Sequence, residues 1–421
     1  MDVRQVMGAV LTFSMFMMLG NMIKRDHFEG DVLLDIPATA KAEQDFKKPI
    51  SNADQDYMKT MRHSLFELSK GLRKSDAQPL KLCWNNTSLP KGNENSKGFV
   101  TFSLTDGPEY HISQIANAVL VAKHLDATLV LPEIVGSKGE KRGFEEIYDM
   151  EKFLTVMNGV IRVQRHKTPG TSTKKLVSVK VPYNANRNYI MTNIKPLFQK
   201  TQNVRVVTYF PSSTMGQGKV DKDMDPHSCW ATFEALRLKP ELQAMVDSLA
   251  ERLRNHGQNG QFAAIDYKGA LLGKGICQSN ANKERKNCYN PVEIAQFLQR
   301  IGYPLNATIY MTQSKADRSI GAVKDLYHNT LTKEDITNED EKGKLLNSEL
   351  EQDIIDFHLC SISDIFMPAK SGLFYANVVG NRIATGKIDI LVPAQITSDL
   401  AQNHVSSYIS KRSHPAYACF C

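Results

Sequence analysis

The chain has 421 residues and a formal net charge of +7, with 42% hydrophobic and 23% charged residues. These are values of a globular protein, and the length is typical of one large two-lobed domain or of two domains. Because no long run of Lys and Arg is interleaved with aromatic residues, a nucleic-acid partner is not indicated. The mild positive charge suits an anionic sugar nucleotide or an acidic glycan, or it only keeps the protein soluble.

An uncharged run, VMGAVLTFSMFMMLGNMI, occupies residues 6–23 and is bounded by basic residues on both sides. Its length is about that of a membrane-spanning helix. A cleaved signal peptide is the alternative, but a small-x-small cleavage site is not evident and bulky residues occupy the end of the run. We therefore expect residues 1–25 to form a short tail and an uncleaved anchor, followed by a polar stem at 26–82. The flanking charges do not fix the orientation.

Residues 98–133 contain the clearest structural pattern of the chain. Residues 98–104 are apolar and β-prone and predict a buried strand. An Asp-Gly-Pro turn follows at 106–108, residues 111–124 carry apolar side chains at helical spacing, and a second strand is predicted at 128–132. Together they form a βαβ unit, in which phosphates and sugars bind at the loop between the first strand and the helix.

Further helices and strands alternate along the rest of the chain, which predicts two α/β lobes. The best-defined element is a helix at 240–257, whose apolar residues fall on one face. We place the N-terminal lobe at 83–238 and the C-terminal lobe at 239–421. The other predicted elements are helices at 144–157, 291–301, 346–359 and 371–381, and strands at 160–163, 204–210, 261–267, 307–312, 365–367 and 388–392.

The sequence contains seven cysteines, without CxxC pairs or Cys/His clusters at zinc spacing. Cys277 and Cys288 flank a polar loop, which makes them the preferred disulfide pair. The odd count leaves at least one cysteine free or intermolecular. Sequons at Asn85, Asn86 and Asn306 are usable acceptors in a secretory lumen, although such short motifs also arise by chance.

Six segments spread over nearly the whole chain carry a family resemblance. They are GFVTFSLTDGPEYHISQIANAVLVAKHLDATLVLPE at 98–133, FEEIYD at 144–149, TYFPS at 208–212, IYMTQ at 309–313, SGLFYAN at 371–377 and ACFC at 418–421. They resemble the plant branch of the GDP-fucose protein O-fucosyltransferase superfamily, most closely its mannan-synthesis-related proteins. The resemblance implies a GT-B-like α/β fold, with two Rossmann-like lobes facing a cleft behind an N-terminal transmembrane helix. It also implies a single-pass type II protein of the Golgi membrane, with a short cytoplasmic tail and a luminal body.

A transferase that uses a nucleotide sugar must hold the diphosphate, stabilise its developing charge and deprotonate the acceptor hydroxyl. One route uses a divalent metal on an Asp-x-Asp motif, which Asp221 and Asp223 superficially offer. They lie in a charged loop rather than at a strand end, so a solvated loop is the favoured interpretation. The resemblance also implies metal-independent transfer, and we expect no metal or other cofactor.

Without a metal, positive side chains and backbone N–H groups must hold the phosphates. Ser371 and Gly372, at the start of a predicted helix, supply a hydroxyl and the positive end of a helix dipole, although they also suit an ordinary helix cap. The family pattern places donor contacts on this segment, including Phe374. It further implies an acidic residue that recognises the guanine base, for which Asp356 and Asp364 are candidates; Asp364 equally suits a helix or turn cap.

The sequence departs from the family pattern in the donor region. Lys268 stands where relatives carry an arginine that contacts the diphosphate, and Ala270 stands where closer relatives carry glutamate. Lysine keeps the charge but loses the planar bidentate fork of arginine. The family's Arg-Trp-Asp is replaced at 315–317 by Lys-Ala-Asp. These departures leave the predicted fold unchanged and put catalytic competence in question.

The first loop also differs from that of the superfamily. The superfamily carries a motif similar to Gly-Gly-Leu-Asn-Gln-Gln-Arg, whereas this chain has Gly-Pro-Glu-Tyr-His at 107–111. Gly107 is the best-matched position and is a predicted donor contact. Glu109 and His111 are candidate bases, and each also suits a polar position at a helix start. With Lys268, they are the predicted catalytic residues.

The sequence therefore predicts a Golgi glycosyltransferase that transfers a sugar from a GDP-sugar to a glycan acceptor in mannan (hemicellulose) biosynthesis. An O-fucosyl- or rhamnosyltransferase acting on another polysaccharide or on a protein is the second hypothesis. A non-catalytic partner of a mannan synthase is the third, which Lys268 and Ala270 favour. Asp364 and the segment 371–374 favour an enzyme. The donor sugar, mannose or fucose, stays open.

Overall fold

The computed structural model describes residues 80–83, 96–136, 138–165, 176–183, 185–210, 224–257, 260–267, 288–312, 320–345, 348–393 and 404–421. All of them belong to a unit that spans Tyr57–Cys421. Within these ranges, no helix is both long and apolar enough to cross a membrane. The predicted anchor at 6–23 lies outside them, as do most of the stem, Lys268, Cys277 and the Asp-x-Asp motif.

The strands form two parallel sheets and one small mixed sheet. In chain order they are β1 (Phe99–Phe102), β2 (Leu104–Thr105), β3 (Thr128–Val130), β4 (Ile134–Val135), β5 (Lys141–Arg142), β6 (Arg162–Gln164), β7 (Val177–Pro182), β8 (Asn203–Tyr209), β9 (Phe262–Asp266), β10 (Thr308–Met311), β11 (Thr330–Leu331) and β12 (Ile365–Pro368). The first sheet has the order β6-β3-β1-β8-β7 and the second has the order β11-β10-β9-β12. All neighbours in both are parallel, which confirms the predicted α/β class.

Helices connect these strands. In chain order they are α1 (Pro108–Leu125), α2 (Phe144–Ile147), α3 (Met150–Met157), α4 (Arg187–Tyr189), α5 (Lys195–Thr201), α6 (Pro226–Trp230), α7 (Pro240–His256), α8 (Pro291–Arg300), α9 (Gly321–Lys324), α10 (Lys333–Ile336), α11 (Glu339–Leu345), α12 (Glu349–Ile362), α13 (Leu373–Ala384) and α14 (Ser407–Ser410). Two π-helical turns, Ile190–Ile194 and Ala231–Ala235, extend α4 and α6, and a 3-10 turn covers Pro415–Cys419.

The helix α1 packs against the strands of the first sheet, and its buried apolar side chains belong to the hydrophobic core. It begins at Pro108 rather than at the predicted His111. Proline suits the first position because its ring fixes φ at a helical value. The N–H group that proline lacks would have no hydrogen-bond partner within the helix at this position. Asp126 ends the helix in the left-handed conformation at φ 53°. Lys123 and His124 in the last turn complement the negative end of the dipole.

Two parts of the first lobe differ from the predictions. The helix predicted at 144–157 is interrupted, because Tyr148 is extended and the Asp149 side chain accepts the N–H of Lys152 as the cap of a new helix. The strand β7 and the helices α4 and α5 were not predicted. In β7, exposed Ser and Lys alternate with buried Val, a strand pattern that the sequence does contain.

The second sheet is buried on both faces, which explains the almost continuous apolar residues of β9, β10 and β12. The helices α7 and α12 pack against it. The last predicted strand, at 388–392, forms only single bridges, between Ile390 and Phe366 and between Leu391 and Val405. The strands of the first sheet lie within residues 99–209 and those of the second within 262–368. The division of the chain into two lobes at 238/239 stays a prediction.

The C-terminal segment connects distant parts of this unit. Disulfides join Cys83 to Cys421 and Cys229 to Cys419, and Leu82 pairs with Phe420 in an antiparallel bridge. The start of the folded body and α6 are thereby tied to the last residues of the chain. Neither disulfide was predicted.

The remaining cysteines are Cys360, Cys277 and Cys288. Cys360 keeps its thiol and is buried, as the odd count requires of at least one cysteine. Cys288 is disulfide-bonded, and its partner lies outside the described ranges. The bond between Cys277 and Cys288 therefore stays a prediction.

Candidate functional site

The carboxyl ends of β9, β10 and β12 form the edge at which open α/β sheets bind ligands. Thr312 links two of these ends: its hydroxyl accepts the Tyr267 N–H at 2.9 Å and lies 3.4 Å from the Asp266 carboxylate. Lys268 follows β9 in the sequence but lies outside the described residues. Its place at this edge is therefore a prediction from chain order.

Four residues, 369–372, connect β12 to α13 at the same edge, and the last three are Lys370, Ser371 and Gly372. Gly372 caps the 12-residue helix with φ 157° and ψ −169°, a conformation almost restricted to glycine. Apart from Gly372 itself and its two neighbours in the chain, no atom of the described residues lies within 4 Å of the position that a Cβ would take there, which leaves space for a close approach to the backbone. The first N–H groups of the helix and its dipole favour an anion at this point.

Lys370 is a cation of this edge that the sequence predictions missed. It is half-buried, and the neighbouring Ser371 is exposed. Its backbone pairs with that of Cys288 in an antiparallel bridge, so the disulfide at Cys288 lies beside the start of α13. The signal that identifies Lys370 is its position directly after a parallel strand, where positive side chains can meet a bound phosphate.

The ring of Phe374, a predicted donor contact, packs into the lobe. It meets the ring of Phe357 edge-on, with the centroids 5.5 Å apart, and it contacts the main core. These contacts hold α13 against α12. They assign Phe374 a packing role and do not support a direct contact with the donor.

Asp356, a predicted guanine ligand, lies inside the C-terminal lobe and is 0% exposed. One carboxylate oxygen accepts from the Tyr310 hydroxyl at 2.6 Å, and the other accepts from the Lys333 ammonium at 2.6 Å. Burial and the Asp356 charge raise the pKa of Tyr310 well above its usual value, so this hydroxyl stays a donor. The prediction for Asp356 is wrong, because both of its oxygens serve a buried polar network.

Asp364, the other predicted guanine ligand, precedes β12 and therefore lies at the amino edge of the sheet. Gly372 lies at the opposite edge, about 13 Å away along a strand of four residues. The Asp364 carboxylate accepts the N–H of Phe262 at 3.0 Å, and its second oxygen is 3.8 Å from the Lys387 ammonium. Asp364 is thus the turn cap that the sequence also allowed, and its prediction as a base ligand is wrong.

The start of α1 lies against α13. Gly107 is the buried N-cap of α1, and the backbone carbonyl of Glu109 accepts from the Asn377 side chain at 2.6 Å. Glu109 is half-buried as a residue, and one of its carboxylate oxygens, Oε2, is buried beside Gly107. The role of Glu109 as a base and the donor contact of Gly107 stay predictions.

His111, the second candidate base, is 0% exposed. Its Nδ1 lies 2.7 Å from the Tyr148 hydroxyl. Burial lowers the pKa of His111 to about 3, and the backbone carbonyl of Asp106 offsets this only partly. Because a general base must contact the acceptor hydroxyl, a neutral core imidazole does not support the predicted catalytic role.

A cavity of about 520 Å³ lies between the lobes at another place. Its walls include Ile112, Trp230, Phe357, Ala384 and Phe420. Ala384 ends α13 and is about 18 Å from Gly372 along the helix axis. The cavity and the start of α13 are therefore separate features.

Two further predictions concern metals and glycans. Within the part of the chain that the structure describes, no group of three or more His, Cys, Asp or Glu side chains is arranged to hold a metal. Asn306 is exposed at the turn before β10, where an oligosaccharide has room. Its glycosylation stays a prediction, and Asn85 and Asn86 lie outside the described residues.

Comparison with known proteins finds relatives over the full chain. Residues 112–385, more than half of the chain, match the family described as GDP-fucose protein O-fucosyltransferase. The chain is 44% identical to Protein MANNAN SYNTHESIS-RELATED 1 of Arabidopsis thaliana, with 100% of this chain and 99% of that protein covered. It is 40% identical to Protein MANNAN SYNTHESIS-RELATED of Trigonella foenum-graecum, with 100% and 99% covered.

Solved structures also match, at low similarity. A crystal structure of POFUT1 in complex with GDP aligns at 12% identity with a TM-score of 0.43, over 72% of this chain and 100% of that chain. A crystal structure of NodZ alpha-1,6-fucosyltransferase soaked with GDP-fucose aligns at 12% identity with a TM-score of 0.40, over 67% and 91%.

Proposed function

The chain belongs to the GDP-fucose protein O-fucosyltransferase family, and from that premise we propose that it is a glycosyltransferase that uses a GDP-sugar in mannan synthesis. The family description supports the GDP-sugar. The relatives at 40–44% identity, which are named for mannan synthesis, support a cell-wall polysaccharide as the product.

The observation that carries the proposal is the start of α13. Gly372 opens the backbone to a ligand, Lys370 and Ser371 stand beside it, and the helix dipole favours an anion there. Lys268 adds a second cation by chain order. A diphosphate held at this point would gain negative charge as the sugar leaves, and these groups would stabilise that charge.

The base of the proposed reaction is Glu109. Its backbone is bonded to Asn377 on α13, so it lies across the lobe junction from the diphosphate site. A carboxylate at this position can take the proton of an acceptor hydroxyl as that hydroxyl attacks the sugar carbon. The attack breaks the bond between the sugar and the diphosphate, and GDP leaves.

Calorimetric titration with GDP, with UDP and ADP as controls, tests the donor site. Lys268→Ala removes a charge-assisted contact and should weaken GDP binding by about 1.5–3 kcal/mol, roughly ten- to a hundredfold. Lys268→Arg should bind GDP at least as tightly as wild type, because it restores the planar fork. Lys387→Ala is the matched control, since Lys387 pairs with Asp364 at the opposite edge of the sheet. Wild-type GDP binding that survives Lys268→Ala would remove Lys268 from the site.

A non-catalytic partner of a mannan synthase is the second candidate function. Lysine and alanine at positions 268 and 270, where the family resemblance implies arginine and glutamate, favour it. This hypothesis predicts no GDP binding by wild type and no gain from Lys268→Arg alone. The same titration therefore separates the two functions.

Transfer is proposed to be metal-independent, because Lys370 lies shortly before the helix start and Lys268 follows β9 in the sequence, so side chains of the chain itself can supply the positive charge. GDP binding and transfer should then survive EDTA. Activity that disappears with EDTA and returns with manganese, and that Asp223→Asn also removes, would overturn this part of the proposal.

The protein is further proposed to be held in the Golgi membrane by residues 6–23, as a single-pass type II protein. The uncharged run without a cleavage site supports this. Deletion of the run, with a surrogate signal supplied, should release a soluble secreted form. N-terminal sequencing of the mature protein that begins after Ile23 would contradict an anchor.

A further inference from the structure

Four partly exposed aromatic side chains, here called the aromatic row, lie at the carboxyl edge of the first sheet: Tyr110, Phe210, Tyr183 and Tyr408. The Phe210 ring is central, with its centroid 5.0 Å from that of Tyr110 and 5.8 Å from that of Tyr183, to which it is nearly parallel. The Tyr408 hydroxyl lies within electrostatic range of the Tyr183 hydroxyl, which after burial is the second cause of the raised pKa of Tyr408.

Chain order and strand geometry explain this grouping. Tyr183 directly follows β7 and Phe210 directly follows β8, and parallel strands end at the same edge of a sheet. Side chains alternate between the two faces of a strand. Thr208 lies 3.3 Å from Asn117 of α1, and Phe210 faces the same side. Tyr209 points to the opposite face, where it is 42% exposed.

The aromatic row is continuous with the proposed donor site. Tyr110 follows Glu109, whose carbonyl is bonded to Asn377 of α13. At the other end, the Tyr408 ring lies 5.3 Å from that of Tyr375, also on α13. Tyr408 thus borders the helix whose start is proposed to hold the diphosphate, and Tyr110 follows a residue that is bonded to this helix.

We infer that the aromatic row is the acceptor subsite, and that it binds an uncharged hexose polysaccharide whose sugar rings pack against the partly exposed aromatic side chains. This inference rests on the proposed function. The C–H face of a hexose is apolar and its rim carries hydroxyls, which matches rings that combine an apolar face with a phenol group. The row carries no formal charge, so an acidic glycan gains no ion pair from it. Rigid aromatic side chains also lose little conformational entropy when a ligand binds.

Two measurements on the full chain test the subsite with β-1,4-linked mannohexaose. Hydrogen exchange of wild type should show protection around Tyr110, Tyr183 and Phe210 when the sugar is added. In calorimetric titrations, Phe210→Ala should bind the sugar roughly tenfold more weakly, because the apolar contact area of one sugar face is lost. Tyr209→Ala is the matched control: it removes a neighbouring aromatic ring on the other face and should bind as wild type does.

Several results would overturn the subsite. They are the absence of protection in wild type, an equal loss in Tyr209→Ala, equal binding of hexagalacturonate, and binding of a protein acceptor at the row in place of the sugar. A GDP titration of the same samples separates the two proposals: GDP binding without mannohexaose binding refutes the subsite alone, whereas loss of GDP binding refutes the proposed function. If Phe210→Ala unfolds, the exchange experiment on wild type and the comparison of the two sugars decide the matter.

Discussion

The ammonium group of Lys333 and the carboxylate of Asp356 form an ion pair, 2.6 Å apart, inside the C-terminal lobe. Lys333 is 5% and Asp356 0% exposed. Burying two charges is tolerated only when each has a partner and further hydrogen bonds, and the Tyr310 hydroxyl supplies one of these. The pair connects α10 to α12 beneath the edge that carries the proposed donor site.

Replacing one member of this pair should destabilise the fold. Asp356→Asn keeps the shape of the side chain but leaves the Lys333 ammonium buried without a counter-charge, so the free energy of unfolding should fall by about 3–5 kcal/mol. Urea denaturation measures this. The double variant Lys333→Met with Asp356→Leu should recover most of the loss, since a well-packed apolar pair can replace a buried ion pair. If Asp356→Asn instead lost GDP binding at unchanged stability, the guanine-binding role would be restored.

A second expected outcome concerns the backbone at Gly372. Gly372→Ala should cost about 1–3 kcal/mol of unfolding free energy, because φ 157° with ψ −169° is strained for any side chain. If α13 begins elsewhere to relieve the strain, GDP binding should weaken as well. Gly321→Ala is the control: Gly321 begins α9 with no left-handed φ and open space for a Cβ, so stability should be unchanged or rise by about 0.4–1 kcal/mol. Thermal unfolding that treats both variants alike would contradict this account.

Sequence patterns predicted most strands of the two parallel sheets and the longest helices, but they did not predict the partners of the buried polar residues. Buried parallel strands such as β9 are continuously apolar, and α7 is amphipathic. Because burial determines which positions are apolar, both kinds of element can be recognised from the sequence. The location of Asp364 at the amino edge could also have been predicted from the sequence, because Asp364 directly precedes a strand. The partner of Asp356 could not have been predicted, because Lys333 is 23 residues away on another helix and no local sequence pattern indicates that contact.

The disulfides of the C-terminal segment illustrate the same limit and lead to a third prediction. Cys83 and Cys421 are separated by 338 residues, so nothing in their spacing identifies them as a pair. Cross-linking so long a loop restricts the unfolded chain, and Cys421→Ser should lower the free energy of unfolding by about 2–5 kcal/mol. Cys360→Ala alters a buried thiol without removing a cross-link, so it controls for the loss of a sulfur atom. Peptide mapping without reductant should recover the 83–421 and 229–419 pairs; other pairs would contradict the structure.

The last prediction concerns acid and the hydrogen bonds of His414. Its Nδ1 accepts the N–H of Ala416 at 3.1 Å, and its Nε2 donates to the carbonyl of Ala376 at 2.9 Å. These two bonds require the neutral ring and hold the turn Pro415–Cys419 on α13. Burial lowers the pKa of His414 from 6.5 to about 4, and the Ala376 carbonyl offsets this only in part.

The sign of the pH effect follows from these two pKa values. Between pH 6.5 and about 4, the unfolded chain binds a proton at His414 that the folded chain does not. The free energy of unfolding should therefore fall as the pH is lowered through this window, by at most about 1.4 kcal/mol per pH unit from this group, and the contribution should be constant below it. Urea denaturation at a series of pH values measures the slope, to which the buried His111 contributes with the same sign. Glutamine does not titrate. The slope of unfolding free energy against pH should therefore be smaller in His414→Gln than in wild type, by up to about 1.4 kcal/mol per pH unit, which corresponds to one proton. An NMR titration in which His414 of the folded protein protonates near pH 6.5 would show that the ring is not held in this way, and the turn would then have no acid-sensitive contact at this residue.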